Sequence, residues 1–402
     1  MTQNIFTSVI NLCLCLASKP VAGLVILAAC GGSVFSQEKS VEATPTAQAI
    51  LDAINTKEVA GAVAIVATRD HILDLQSLGL ANIESQQYME EDSIFWIASM
   101  SKPVTGVCVM MMVDEGKLSL DEPIAKYLPE MAGLKGKEGK SHTVTIRQLM
   151  NHTSGMSEIP LPNTYAAVTL EEATKEYARL PIVFEPGSQW QYSQTGINTA
   201  ARIVEVVSGM SFDRFVEERL CKPLGMVDTG FYLTKEQNER LVVAYDRTDA
   251  GELTPRPIFL LNGKMPTDRD RFPAANGGLF STARDYARFC QMLLNEGTMD
   301  GKKILSADAV SVFSQISTKD LVTAFTPGNG WGVGCCVVRE PQGASAALSP
   351  GSFGHGGAYG TQAWVDPIKG RVYILMVQRA NFPNGDDSSI RKAFQAAAAS
   401  LK

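Results

Sequence analysis

The chain has 402 residues, 45% of them hydrophobic and 19% charged, which is ordinary globular composition. The formal net charge is -6, so the basic footprint of a nucleic-acid binder is missing and nucleic acid is not expected as a partner. No internal repeat or long low-complexity tract interrupts the chain, and the length suits one large domain or two intimately packed ones.

The first forty residues stand apart. "KPVAGLVILAACGGS" carries an apolar run over residues 21–29 that ends at Cys30. Nine or ten apolar residues are too few to span a bilayer comfortably, but they suit the hydrophobic region of a signal peptide. "LAAC" resembles the lipobox of bacterial lipoproteins, in which the cysteine is lipidated after cleavage, although no Lys or Arg precedes Lys19. Residues 1–30 are therefore read as a lipoprotein-type signal peptide with Cys30 as the lipidation site. An uncleaved anchor or a secretion signal without lipid are the alternatives. The expected location is the exported face of a bacterial membrane, periplasmic or cell-surface. "SQEKSVEATPTAQ" continues as a polar tether, and residues 31–48 are assigned to it.

Beyond the tether, "AGAVAIVATRD" and "HILDLQSLGLAN" are β-rich runs joined at Arg69-Asp70, the pattern of a hairpin. "SKPVTGVCVMMMVDEGKL" predicts a strongly apolar helix, with Pro103 tolerated in its first turn and Gly116 at its C-terminal stop. Residues 117 to about 275 are rich in turns and short helices. "TIRQLMNHTSGM", "TLEEATKEYARL", "GINTAARIVEVVSG" and "SFDRFVEERLCKPLGM" are the helical pieces, and "STARDYARFCQMLLNEG" follows as an amphipathic helix. The pattern returns to strands in "GWGVGCCVVRE", "SFGHGGAYGTQAWVDP" and "GRVYILMVQ", and closes with "SSIRKAFQAAAASLK" as a helix. Strands at both ends around a helical middle imply one discontinuous α/β domain holding an inserted α region.

Of eight cysteines, Cys13, Cys15 and Cys30 lie in the leader. The other five are scattered, which is not a disulfide framework, and Cys108 and Cys290 fall within helices as small buried hydrophobes. The four histidines show no metal-ligand spacing, so no metal and no cofactor are expected. His71 and His142 read as surface-loop residues.

"FWIASMSKPVTG" places Ser99 and Lys102 three residues apart at the head of the apolar helix, on one face of it. Ser-x-x-Lys alone is weak: "SQEK" (Ser36, Lys39) and "SIRK" (Ser389, Lys392) match it too. Context separates "SMSK". A serine at a helix N-terminus meets unpaired N–H groups and the positive dipole end, which stabilise an oxyanion. A lysine one turn into an apolar helix loses hydration, which lowers its pKa toward that of a useful base. The competing reading is an N-capping serine with a snorkelling lysine. No Gly-x-Ser-x-Gly elbow offers another serine nucleophile.

Six segments in order resemble the serine β-lactamase and penicillin-binding-protein superfamily, on its class C β-lactamase, DD-peptidase and carboxylesterase branch. They are "FWIASMSKPV", "IRQLMNHTSGM", "FEPGSQWQYSQTGIN", "CKPLGM", "NGGLFSTARDYARF" and "GHGGAYGT", and the likeness runs from about residue 50 to 395. The resemblance implies an α/β (α+β) β-lactamase/transpeptidase-like fold: an antiparallel sheet flanked by helices, over residues 49–402, with the helical insertion at about 117–275. It implies Ser99 as the acylated nucleophile, with Lys102 and Tyr192 sharing the base role and Tyr192 favoured as phenolate beside a cationic lysine. The backbone N–H groups of Ser99 and Ala358 would form the oxyanion hole. Gln194, His355, Gly356, Gly357 and Tyr359 would contact substrate. His152 is read as fixing a turn. Trp190, Trp331 and Tyr359 either build an acyl pocket or are core aromatics.

Two departures bear on substrate. The branch's Tyr-x-Asn reads Tyr192-Ser193-Gln194, and the Lys-Thr-Gly of β-lactamases reads His355-Gly356-Gly357. A longer amide, a neutral histidine and a missing hydroxyl leave less to grip a β-lactam carboxylate. The expectation is a serine esterase or amidase acting on small-molecule acyl substrates, with weak or no β-lactamase activity and a membrane partner through the lipid anchor. A D-Ala-D-Ala carboxypeptidase, a true β-lactamase and a non-catalytic surface binding protein are the alternatives.

Overall fold

A computed structural model describes residues 43–159, 166–323 and 326–401. The proposed signal peptide, Cys30 and most of the tether lie outside them. The tether assignment to residue 48 runs too far, because helix α1 (Pro45–Asn55) starts within it. Thr44 Oγ1 accepts from Ala47 N and Pro45 occupies the first helical position, a start signal present in "ATPTAQ".

The central sheet has eight antiparallel strands: β1 (Gly61–Ala67), β2 (Ile72–Asn82), β3 (Gln87–Tyr88), β4 (Asn329–Trp331), β5 (Cys336–Val338), β6 (Phe353–Gly356), β7 (Gln362–Asp366) and β8 (Arg371–Met376). Their spatial order is β4-β5-β6-β7-β8-β1-β2-β3. The β1–β2 hairpin turns at residues 68–71, as the sequence pattern predicts. Strand β1 also pairs with β8, from Val63 opposite Met376 to Ala67 opposite Val372, so the two ends of the domain close one sheet. All seven residues of β1 are buried. Its alternating side chains serve two cores: Ala62, Ala64 and Val66 pack beneath α1 and the last helix, α8 (Ser389–Ala399), whereas Val63, Ile65 and Ala67 join the larger core on the other face.

On that larger side lie α2 (Ser101–Asp114), α3 (Ile146–Met150), α4 (Leu170–Tyr177), α5 (Gln194–Ser208), α6 (Ala283–Leu294) and α7 (Ala307–Ser314). Helix α2 is buried from Ser101 through Met112, so it has no polar face. A Cβ at Gly106 would stand 2.1 Å from Val333 O, so glycine allows α2 to approach the chain before β5. The region between α2 and α6 is only partly helical. It adds short hairpins at Leu134–Lys135 with Ser141–His142 and at Tyr245–Arg247 with Leu253–Pro255. It belongs to the same compact unit as the sheet. His142 is not a loop residue: it sits in one of these hairpins with its side chain only 7% exposed.

Candidate active site

A cleft of about 810 Å³ opens between the head of α2, the N-terminus of α5 and the end of β6. Ser99 lies on a single 3₁₀ turn, Ala98–Met100, that leads into α2. The residue before it, Ala98, is held in the left-handed region at φ +46°, a strained position for a side chain with a Cβ. Ser101 is committed elsewhere: its hydroxyl donates to Ala98 O at 2.7 Å and accepts from Leu279 N at 3.1 Å.

Lys102 is completely buried. Its Nζ lies 2.6 Å from Asn276 O, 2.9 Å from Gln194 Oε1 and 3.2 Å from Ser99 Oγ, and 4.5 Å from the Tyr192 ring centroid. Burial drives the Lys102 pKa well below the usual lysine range, with the Glu158 charge opposing it. A neutral amine has two N–H groups and one lone pair. The two carbonyl oxygens can only accept, so they take both N–H groups and the lone pair is left for the Ser99 O–H.

Tyr192 OH lies 3.3 Å from His355 Nε2, and His355 Nδ1 lies 2.6 Å from Gly356 O. The carbonyl can only accept, so Nδ1 carries the proton and Nε2 receives the Tyr192 O–H. Burial above all pushes His355 down to about 3, so it is neutral. Two features favour a Tyr192 phenol over the phenolate: its lysine neighbour is driven toward the uncharged form, and the phenol hydrogen has an acceptor. His152 holds Tyr192 from both sides, with its carbonyl accepting from Gln191 N at 2.9 Å and its Nδ1 from Ser193 N at 3.1 Å. It does so at φ +64° and fully buried, the turn-fixing role expected of it.

Gln194, His355, Gly356, Gly357 and Ala358 line the same cleft as Ser99. Strand β6 pairs with β5 only through Phe353 and Gly354, which leaves the His355–Gly356 edge open. Ala358 stands in the turn past the strand rather than on it. Tyr359 is the predicted substrate contact that fails to reach the cleft. It is buried, its hydroxyl donates to Pro257 O at 2.9 Å, and it packs edge-on behind Trp96 at 4.7 Å. Trp190 and Trp331 likewise form an aromatic cluster with His152 and Tyr192 instead of an acyl pocket. The apolar wall comes from Trp96, Phe259, Leu260 and Ile159.

Three polar residues of the site escaped the motif reading. Asn276 donates from Nδ2 to Gln194 Oε1 at 2.9 Å, besides offering its carbonyl to Lys102. It lies at the head of the quoted "NGGLFSTARDYARF", the only signal available for it. The Glu158 carboxylate accepts from Gln194 N at 2.8 Å and Thr195 Oγ1 at 3.1 Å, at the positive end of α5. Asp386 lines the wall beyond β6.

The beta-lactamase family profile matches residues 47–398. The chain belongs to that family. It is 31% identical over 349 residues to protein Rv1367c of Mycobacterium tuberculosis, covering 80% of this chain and 86% of that one. It is 28% identical over 364 residues to esterase EstB of Burkholderia gladioli, covering 82% and 88%. The solved structure of EstCE1, described as a hydrolase with promiscuous acyltransferase activity, superposes with a TM-score of 0.75 at 24% identity over 87% of this chain and 97% of that one. The fold is the family's, a central antiparallel sheet flanked by helices, and the protein is a serine hydrolase of this superfamily.

Proposed function

We propose that the protein is an acyl-enzyme esterase or amidase of small acyl compounds, with Ser99 as nucleophile and neutral Lys102 as its base. The observation that carries this reading is the fully buried Lys102 Nζ, 3.2 Å from Ser99 Oγ, 2.9 Å from Gln194 Oε1 and 2.6 Å from Asn276 O. As Ser99 Oγ bonds to the acyl carbon, its proton passes to Nζ. The N–H groups of Ser99 and Ala358 receive the developing oxyanion. Tyr192 O–H protonates the leaving oxygen or nitrogen as the carbonyl re-forms, and the Lys102 ammonium restores the phenol proton. Water then attacks the acyl-enzyme, its proton passing to the amine, and the ammonium returns that proton to Ser99 Oγ as the tetrahedral intermediate collapses, freeing the serine and the acid and restoring the neutral base.

An ester or amide preference is supported by Gln194, whose amide oxygen is turned inward to Lys102 and Asn276, and by His355-Gly356, which offers neither a cation nor a hydroxyl. The likeness to EstB points the same way. The test is intact-mass analysis after incubation with a fluorophosphonate and with a fluorescent penicillin, beside steady-state turnover of p-nitrophenyl acetate and a cephalosporin. A fluorophosphonate adduct on the wild type but not on Ser99→Ala is expected, with the ester turned over faster than the cephalosporin. Labelling that survives Ser99→Ala overturns the nucleophile assignment, and rapid cephalosporin hydrolysis overturns the substrate class. Export and lipid anchoring through Cys30 are part of the proposal. Cell fractionation with a radiolabelled fatty acid should place label on the wild type and none on Cys30→Ser.

A further inference from the structure

Charge in the cleft is one-sided. Among the described residues that line it, the ionisable side chains besides Tyr192 and the neutral His355 are two carboxylates, Glu158 and Asp386. Glu158 spends its charge on the amides of α5. Asp386 is placed differently. It belongs to the short turn Gly385–Asp387, which follows Pro383 along the β6 wall. Its Oδ1 lies 2.1 Å from where a Cβ on Gly356 would stand, so the space a side chain would take on that strand is filled by the protein's own carboxylate. Gln362 Nε2 donates to Oδ1 at 3.4 Å. Arg391 is the nearby cation, and it is sequestered: its side chain is 0% exposed, 4.0 Å from Oδ1, with its guanidinium 4.8 Å from the Trp364 ring centroid and donating to the Asp386 carbonyl. The Asp386–Arg391 pair therefore presents its negative end to the cleft, where the Asp386 side chain keeps 22% exposure.

We propose that Asp386 is a specificity-determining residue, making this active site select uncharged and ammonium-bearing substrates over carboxylate-bearing ones. The proposal rests on the esterase reading above. A substrate carboxylate lying along β6 would meet a fixed carboxylate with no Lys or Arg among the described cleft-lining residues to offset it, whereas an ammonium group would find a partner. Because Arg391 lies behind Asp386 and offsets part of its field, the discrimination is about tenfold rather than thousandfold.

The experiment uses three p-nitrophenyl esters matched in chain length, with acyl chains ending in a methyl, a trimethylammonium or a carboxylate group. Each kcat/KM is divided by that of the methyl-terminated ester. In the wild type at low salt the ammonium ester should exceed the carboxylate ester by about tenfold or more, and 0.5 M salt should narrow the gap. Asp386→Asn should bring the ratio toward one. A wild-type ratio near one, or one favouring the carboxylate ester, overturns the proposal without reference to any variant. A wild-type preference unchanged in both Asp386→Asn and Asp386→Ser overturns it as well. Failure of the neutral ester to turn over, with no fluorophosphonate adduct, removes the esterase reading and this proposal with it. Turnover of the neutral ester without charge preference overturns this proposal alone.

Discussion

The floor of the cleft and its β6 wall treat charge in opposite ways. On the floor, Lys102 is sealed at the head of an apolar helix and surrounded by acceptors, and burial pushes its pKa well below the usual lysine range. On the wall, Asp386 lies over a buried arginine and remains in contact with solvent. Both regions border one cleft, yet one suppresses a charge and the other displays one. The difference shows how a single cleft divides its tasks. Full dehydration makes a base from a residue that is an acid in water, and partial hydration keeps a charge available for sorting substrates.

The sharpest way to break this contrast is to remove the buried amine. Lys102→Met keeps much of the volume and removes the group that must be desolvated. It should lower kcat/KM for p-nitrophenyl acetate by about 10³-fold, roughly 4 kcal/mol of barrier, within the range of general-base contributions. The wild-type rate should rise with pH through the Lys102 pKa, well below the usual 10.5, because the reactive form is the unprotonated amine. A variant within tenfold of wild type, or a rate that falls over the same pH range, would mean the floor does not hold a neutral base.

A smaller effect tests whether the dehydration reaches the wall at His355. Its folded pKa is about 3 against 6.5 for an exposed histidine. Between those values the unfolded chain binds a proton that the folded chain does not. Stability from this residue is therefore complete above about pH 6.5 and is lost as pH falls toward 3, at up to about 1.4 kcal/mol per pH unit. His152 adds a loss of the same sign. Denaturant midpoints measured from pH 7 to pH 4 should fall for the wild type and fall less steeply for His355→Gln. Equal slopes would place a hydrated, titrating histidine at the end of β6.

How much of this was visible beforehand follows the same division. Part of the floor could be read from sequence because its chemistry is local: Ser99 and Lys102 lie one turn apart and the apolar run of α2 announces burial, whereas Tyr192 is reached only through the resemblance of "FEPGSQWQYSQTGIN" to the family's segment. The strands that close the sheet show as short continuous apolar runs in "GAVAIVA" and "RVYILM". The wall resisted because side-chain direction there depends on a turn and on a distant segment. Past Gly357 the chain bends, so Tyr359 points behind Trp96 rather than into the cleft. Asp386 reaches Gly356 from thirty residues away, and nothing in "NFPNGDDSS" marks it. Glu158 reads as one more surface acid until α5 is seen to end on it. Asn276 contributes its backbone carbonyl to Lys102, and a sequence motif carries no sign of which carbonyl a fold will use.

The smallest predicted effect decides which region sets the substrate class. Gln194 belongs to the floor by its contacts, since its Oε1 accepts from both Lys102 and Asn276 at 2.9 Å. Gln194→Asn restores the residue type of the family's Tyr-x-Asn but draws the amide back by one methylene. Both hydrogen bonds would lengthen beyond useful range unless α5 shifted, and Lys102 would lose one of the two acceptors that orient its lone pair. Ester turnover should fall by about three- to tenfold, on the order of 1 kcal/mol, the usual net value of a hydrogen bond. Penicillin acylation should stay as slow as in the wild type, because Gly356 and Asp386 are untouched and still offer a carboxylate where a substrate carboxylate would need a cation. If penicillin acylation instead rises more than tenfold, as stopped-flow fluorescence would reveal, substrate class is set on the floor by the length of one amide. The wall's charge would then be incidental to selection, and the division of tasks between the two regions would fail.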